Sequence, residues 1–251
     1  MTPAVVSIGT TDPWNAAGLG LDARVVAEYG LRPLTIVAAV SAQDGAGLRA
    51  GAPVDAALIR AQWDALAGAP VAALRIGALM GAAAVREVAA IVRAAGVPAV
   101  YDPVVAPSRG GRFVDAAAAL AIRAELLPAV TVCTPNLAEA AELAGVRIAS
   151  VPEMIEAART LRGLGARAVL VTGGHLPGEP VDVLVDDDGD RTFTESRLAA
   201  DMRGTGCVLA SALAAELARG AALRTAVGAA RAFVRKKIAG AVRTGDFLTA
   251  Y

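Results

Sequence analysis

The sequence predicts an α/β fold with a mostly parallel sheet and helices on both of its faces. Two observations carry this. Short apolar or β-branched runs alternate with longer helical stretches along almost all of the 251 residues, which is the pattern of repeated strand–helix–strand units. No stretch rich in Pro, Gly and Ser divides the chain and no repeat recurs in it, so residues 1–251 read as a single domain.

The elements follow in order. Ala4 to Ile8 reads as a strand, Gly18 to Tyr29 as a helix and Leu34 to Val40 as a second strand. A helix around Asp55 to Leu66, a strand at Ala73 to Gly77 and a helix at Ala82 to Ala95 come next. The strand Ala99 to Tyr101 stops at Asp102-Pro103, where proline leaves regular structure. A helix near Asp115 to Leu126 leads to a strand at Val130 to Cys133 and a helix from Leu137 to Leu143. Pro152 opens a helix that ends near Gly163 or Gly165, and the strand Ala168 to Val171 follows it. Strands near Val181 to Val185 and Thr192 to Ser196 flank the acidic turn Asp186 to Asp190 as a hairpin. Helices around Cys207 to Arg219 and Leu223 to Ile238 are expected to finish the chain.

Composition narrows the function. Basic and acidic residues balance at 24 each, which argues against a dedicated nucleic-acid surface. No segment approaches the ~20 uninterrupted apolar residues of a membrane span. The N-terminal stretch lacks a basic region followed by a long apolar one, and Cys133 and Cys207 cannot build a disulfide framework. The expectation is a cytoplasmic protein. Lysine occurs only at Lys236 and Lys237, so no GxxxxGK phosphate loop exists. Any nucleotide phosphate must be met by backbone amides, arginine or metal.

In a parallel sheet, ligands sit at the carboxyl ends of strands. Those ends here carry Gly9-Thr10-Thr11-Asp12, Asp102-Pro103-Val104, Thr134-Pro135-Asn136 and Val171-Thr172-Gly173-Gly174-His175. Each alone also serves to end a strand or cap a helix. Together with Arg203-Gly204-Thr205-Gly206-Cys207, which runs straight into a helical pattern, they predict a crevice. Two glycines at a helix N-terminus let successive amides converge on an anionic oxygen, as phosphoryl transfer requires. Cys207 falls in the first turn, where the helix dipole is expected to lower its pKa and let it act as a base. A buried cysteine packed beneath the turn is the alternative. Glu139, three residues after Asn136, suits Mg²⁺, with Asp102 assisting through water. It also suits a glutamate that merely complements the helix dipole.

The ordered motifs AGLGLD from Ala17, VSAQD from Val40, DPVV from Asp102, TPNLAEA from Thr134, VTGGH from Val171 and GTGC from Gly204 resemble a known family. They are similar to the hydroxymethylpyrimidine and phosphomethylpyrimidine kinases of thiamine biosynthesis, in the ribokinase-like superfamily. The resemblance implies a three-layer α/β/α sandwich, ATP and Mg²⁺ as cofactors, an aminopyrimidine substrate and a homodimer. It implies an anion hole from Gly204, Thr205, Gly206 and Cys207, with Cys207 as base and Glu139 and Asp102 at the metal. Gln43 is then expected on the aminopyrimidine edge, where an amide offers donor and acceptor together. Ala17, Asp22, Asp12 and Val105 complete the substrate pocket. Asn136, Thr172 and Gly174 meet the nucleotide.

The sequence departs from that family at several points. Trp14-Asn15-Ala16-Ala17-Gly18 replaces a glycine pair, Thr172 replaces a lysine and Ala78 a methionine. The family's glycine-rich C-terminal loop has no evident counterpart after Lys237. Arg109 or Arg112 is therefore expected to close over ATP phosphates in the lysine's stead, since a guanidinium pairs well with phosphate. A pyridoxal-type or other vitamin-precursor kinase, and a pyrimidine-binding fold without turnover, are the competing readings.

Overall fold

The computed structural model describes residues 1–44, 47–105, 112–174 and 176–251. Among these, nine strands form one sheet in the order β3-β2-β1-β4-β5-β6-β7-β8-β9. The strands are β1 (Ala4–Thr10), β2 (Arg32–Asp44), β3 (Gly47–Pro53), β4 (Val71–Ile76), β5 (Ala99–Tyr101), β6 (Val132–Cys133), β7 (Val169–Thr172), β8 (Val181–Asp186) and β9 (Gly189–Thr194). Pairing from β2 through β7 is parallel, and β3, β8 and β9 join antiparallel at the two edges. All residues of β1 are buried, as a central strand covered on both faces must be.

The alternation of side chains along the strands feeds two cores. Val6, Ile8, Leu74 and Ile76 pack on the side of α2 (Ala56–Asp64), α3 (Ala82–Ala95), α4 (Ala116–Ala121), α5 (Leu137–Ala144) and α6 (Val151–Gly163). Val5, Ala73, Val100 and Leu170 face α1 (Gly18–Glu28), α7 (Thr205–Ala218) and α8 (Leu223–Ala239). The result is helices, sheet, helices in three layers. Helix starts follow local chemistry: Asp55, Asp115, Asn136 and Ser150 each accept a backbone amide of the following turn. No helix among the described residues is long and apolar enough to cross a membrane.

Three expectations are corrected. The strand after α1 runs to Asp44 and folds back as β3, whose GLRAGAP sequence has little strand propensity and is held by pairing with β2. The helix expected to Leu126 is α-helical only to Ala121 and continues as a π-turn over Ile122–Leu126. The chain does not finish on helices. A hairpin of β10 (Val242–Thr244) and β11 (Phe247–Thr249) follows α8. Gly245, at φ +60°, takes the first position of its two-residue turn.

The parallel strands β1, β4, β5, β6 and β7 end side by side at Thr10, Ile76, Tyr101, Cys133 and Thr172. The chain leaves β1 for β2 on one side while β4 lies on the other. Such a reversal opens a crevice at the carboxyl ends, and α7 begins under it.

Candidate active site

The loop before α7 is shaped by Gly204. It sits at φ +82°, and a Cβ there would meet the Ala16 carbonyl oxygen at 2.2 Å, so only glycine lets this loop lie against the first loop. Gly206 is exposed. Among the described residues, and apart from its own helix and chain neighbours, only the Asp102 carboxylate oxygens come within 4 Å of where its Cβ would stand, at 3.6 and 3.9 Å. The N-terminus of α7 therefore faces the end of β5.

Beneath that opening lies a residue to which the sequence reading assigned no role. Arg75, in β4, is 1% exposed. Its Nη2 donates to Asp102 Oδ2 at 2.6 Å, and its Nη1 stands 3.2 Å from Asp22 Oδ2. Asp22 Oδ1 accepts from Ser211 of α7 at 2.9 Å. The guanidinium also lies within electrostatic reach of the Cys207 sulfur. Among the described residues Arg75 Nε has no hydrogen-bond partner. A lone charge inside the apolar run VAALRI was the available signal, because a buried cation has to be paired.

This network changes the reading of Cys207. Burial pushes its thiol up to about 12; the Arg75 charge and the Gly18 amide act the other way, and Asp102 and Asp22 add to the rise. The expected lowering by the helix dipole is overridden, because two carboxylates and desolvation outweigh one helix end. Cys207 is thus held as a thiol beside the Asp102 carboxylate. Arg75 itself is held charged: burial opposes this, and Asp22, Cys207 and Asp102 outweigh it.

Asp102 and Glu139 come together as expected. Glu139 and Asn136 form a reciprocal capping box at the start of α5, at 2.9 and 3.0 Å, and the Val105 amide also donates to Glu139. Burial and then the Asp102 charge push the Glu139 carboxyl up to about 8, and burial raises Asp102 despite Arg75. Two crowded, desolvated carboxylates with hard oxygens suit a divalent cation that keeps waters and takes its remaining ligands from phosphate. No cluster of three or more His, Cys, Asp or Glu able to hold a metal occurs among the described residues.

Other expected residues fall in different places. Asp22 is fully buried and lies beneath the crevice instead of lining it, because its charge is needed under Arg75. Asp12 is also buried, its carboxylate taken up by the amides of Trp14, Ala16 and Ala17 at 3.0–3.1 Å. It shapes the first loop and leaves no oxygen clearly free for a substrate. Ala17 is the partly exposed N-cap of α1. The Val105 side chain packs in the core, as does Ala78. Gln43 lies on β2 with its Oε1 accepting from Arg203 Nη2 at 3.0 Å, so it is not a solvated loop residue.

On the nucleotide side, Asn136 and Thr172 are bridged across the ends of β6 and β7. Arg197 donates to the carbonyls of Gly174, Leu176 and Gly178, a clamp that sequence reading missed. Arg112 is paired with Glu142 of α5 and does not reach over the crevice. Arg109 and His175 lie outside the described residues.

Comparison with known proteins gives a consistent family and fold. The family model for phosphomethylpyrimidine kinase matches residues 12–250. The hydroxymethylpyrimidine/phosphomethylpyrimidine kinase of Streptomyces coelicolor is 34% identical over 234 residues, covering 92% of this chain and 87% of its own. The pyridoxine kinase of Bacillus subtilis is 32% identical over 242 residues, covering 93% and 89%. Among solved structures, the ADP complex of Bacillus subtilis pyridoxal kinase superposes with a TM-score of 0.91 at 29% identity, over 98% of this chain and 96% of that one.

Proposed function

Because the chain belongs to the phosphomethylpyrimidine kinase family, a ribokinase-like group of vitamin-precursor kinases, we propose that it transfers the ATP γ-phosphate to the hydroxymethyl group of 4-amino-5-hydroxymethyl-2-methylpyrimidine. Further transfer to the monophosphate is the second step of the same proposal. The observation that carries it is the glycine-lined N-terminus of α7 facing the Asp102 carboxylate, whose nearer oxygen lies 3.6 Å from where a Cβ on Gly206 would stand, the arrangement needed to hold a phosphoryl group in flight.

Gly204 to Cys207 bind the travelling phosphoryl oxygens through backbone amides. Glu139 and Asp102 would hold Mg²⁺, which when bound neutralises phosphate charge. Arg75 keeps Asp102 in place from below. Cys207 is proposed as the base, and the thiol must pass its proton to the neighbouring Asp102 carboxylate as the substrate hydroxyl gives up its own. Asn136, Thr172 and the Arg197-clamped segment at Gly174 border the nucleotide, with Arg109 as the proposed closing residue in place of the Glu142-paired Arg112. Homodimer assembly and a single domain over residues 1–251 complete the proposal, the first supported by the family resemblance and the second by an unbroken family match.

A pyridoxal-type substrate is the second reading, favoured by the near-equal similarity to a pyridoxine kinase. A coupled ADP-release assay across the aminopyrimidine, its monophosphate and pyridoxal separates the two. The aminopyrimidine is expected to give the highest kcat/KM, and Cys207→Ala to lower kcat by about 10²–10⁴-fold with the fold unchanged. ADP release with pyridoxal alone would reverse the assignment. A loss below threefold in Cys207→Ala would reduce the cysteine to packing.

A further inference from the structure

Arg203, immediately before the anion-hole loop, ties four segments together. Its Nη2 donates to Gln43 Oε1 at 3.0 Å and its Nη1 to the Asp44 carbonyl at 2.9 Å. Asp12 Oδ2 lies 3.7 Å from the guanidinium. The guanidinium sits over the Phe247 ring at 5.1 Å, and Trp14 packs edge-on against that ring at 5.6 Å. The Arg203 amide donates to Leu248 of the C-terminal hairpin at 2.9 Å. The side chain is 15% exposed, so it has little room to move.

Arginine is a donor with no acceptor. A glutamine amide beside it has one allowed orientation, oxygen toward the guanidinium, whereas an unrestrained amide flips at little cost. The second lone pair of Gln43 Oε1 and the Nε2 hydrogens then face outward in a fixed order. We propose that Arg203 is a positioning residue that locks the Gln43 amide so that the pocket reads the donor–acceptor order on the substrate ring edge. Resting on the pyrimidine reading above, it selects a ring with an amino donor beside a ring-nitrogen acceptor and rejects the reversed edge, a 4-oxo group beside a ring N–H.

The test compares kcat/KM for the 4-amino-5-hydroxymethylpyrimidine and its 4-oxo analogue. The parent protein favours the amino compound. Arg203→Met frees the amide, and the amino-to-oxo ratio falls by about tenfold or more, because the flipped amide now satisfies the oxo edge. Arg203→Gln, which can give or accept, lowers the ratio as well and serves if the methionine variant does not fold. Arg203→Lys, a donor only, keeps at least about half of the discrimination. A ratio within twofold of the parent in both Met and Gln variants overturns the lock. Parent protein that releases ADP with neither pyrimidine overturns the substrate reading instead.

Discussion

Two groups of arginine–aspartate pairs on the sheet differ in everything except their chemistry. At the ends of β4 and β5, Arg75, Asp22 and Asp102 have side chains 1%, 0% and 6% exposed. At the β8–β9 edge, Arg159 meets Asp190 at 2.5 Å, Arg162 meets Asp187 and Arg224 meets Asp186, with Arg159 66% and Asp187 82% exposed. In water such pairs gain little, because solvent screens them and long side chains lose freedom. Inside the protein each charge depends on its partner, because nothing else solvates it. Burial therefore decides whether an ion pair is a surface trait or part of the machinery, and only the buried cluster touches the anion-hole cysteine.

The comparison can be broken first at its strongest point. Arg75→Met strands two buried carboxylates and is expected to cost about 3–5 kcal/mol, a fall in Tm of roughly 10 °C or more. Adding Asp22→Asn should restore part of it, since the stranded charge is gone. Thermal melts of both variants check this, and a single variant melting within 2 °C of the parent removes the claim that the cluster is dependent on its cation.

Glu139 sharpens the contrast from the other direction. In the folded, metal-free protein its carboxyl keeps its proton up to about 8, against an ordinary value of 4.5. Between those values the folded state binds more protons than the unfolded one, so stability falls as pH rises through the window. Glu139→Gln is therefore expected to flatten the Tm-versus-pH curve between pH 5 and 8 by roughly 3–6 °C, while kcat drops by about 10²-fold. Parallel curves for variant and parent would show that the site does not hold this proton. The smallest effect belongs to the surface edge: Arg159→Ala should shift stability by less than about 1 kcal/mol, less still in high salt, with kcat unchanged.

How much of this was legible in the sequence depends on where information is local. Helix starts near Asn136, Pro152 and the Gly204 turn were readable because caps, prolines and glycine turns act over three or four residues. The alternation of strands and helices was readable for the same reason. β3 was not, because its glycines and alanines become a strand only through pairing with β2, a partner that propensity cannot see. The surroundings of Asp12 and Asp22 were not legible for a related cause. Motif position located both near the pocket, but only three-dimensional packing shows one occupied by its own loop's amides and the other placed beneath a buried guanidinium. Gln43 and Arg203 are 160 residues apart in sequence, and nothing local announces their bond.

The hairpin of β10 and β11 carries a consequence for biosynthesis. Ribosomes deliver a chain from its amino end, and Leu248 and Phe247 brace Arg203 only once synthesis has passed them. A nascent polypeptide folded through α8 would possess the phosphate-cradling turn yet lack the brace behind its acceptor wall. On the proposed reading, competence to choose a substrate matures after the Gly204–Cys207 turn is already in place.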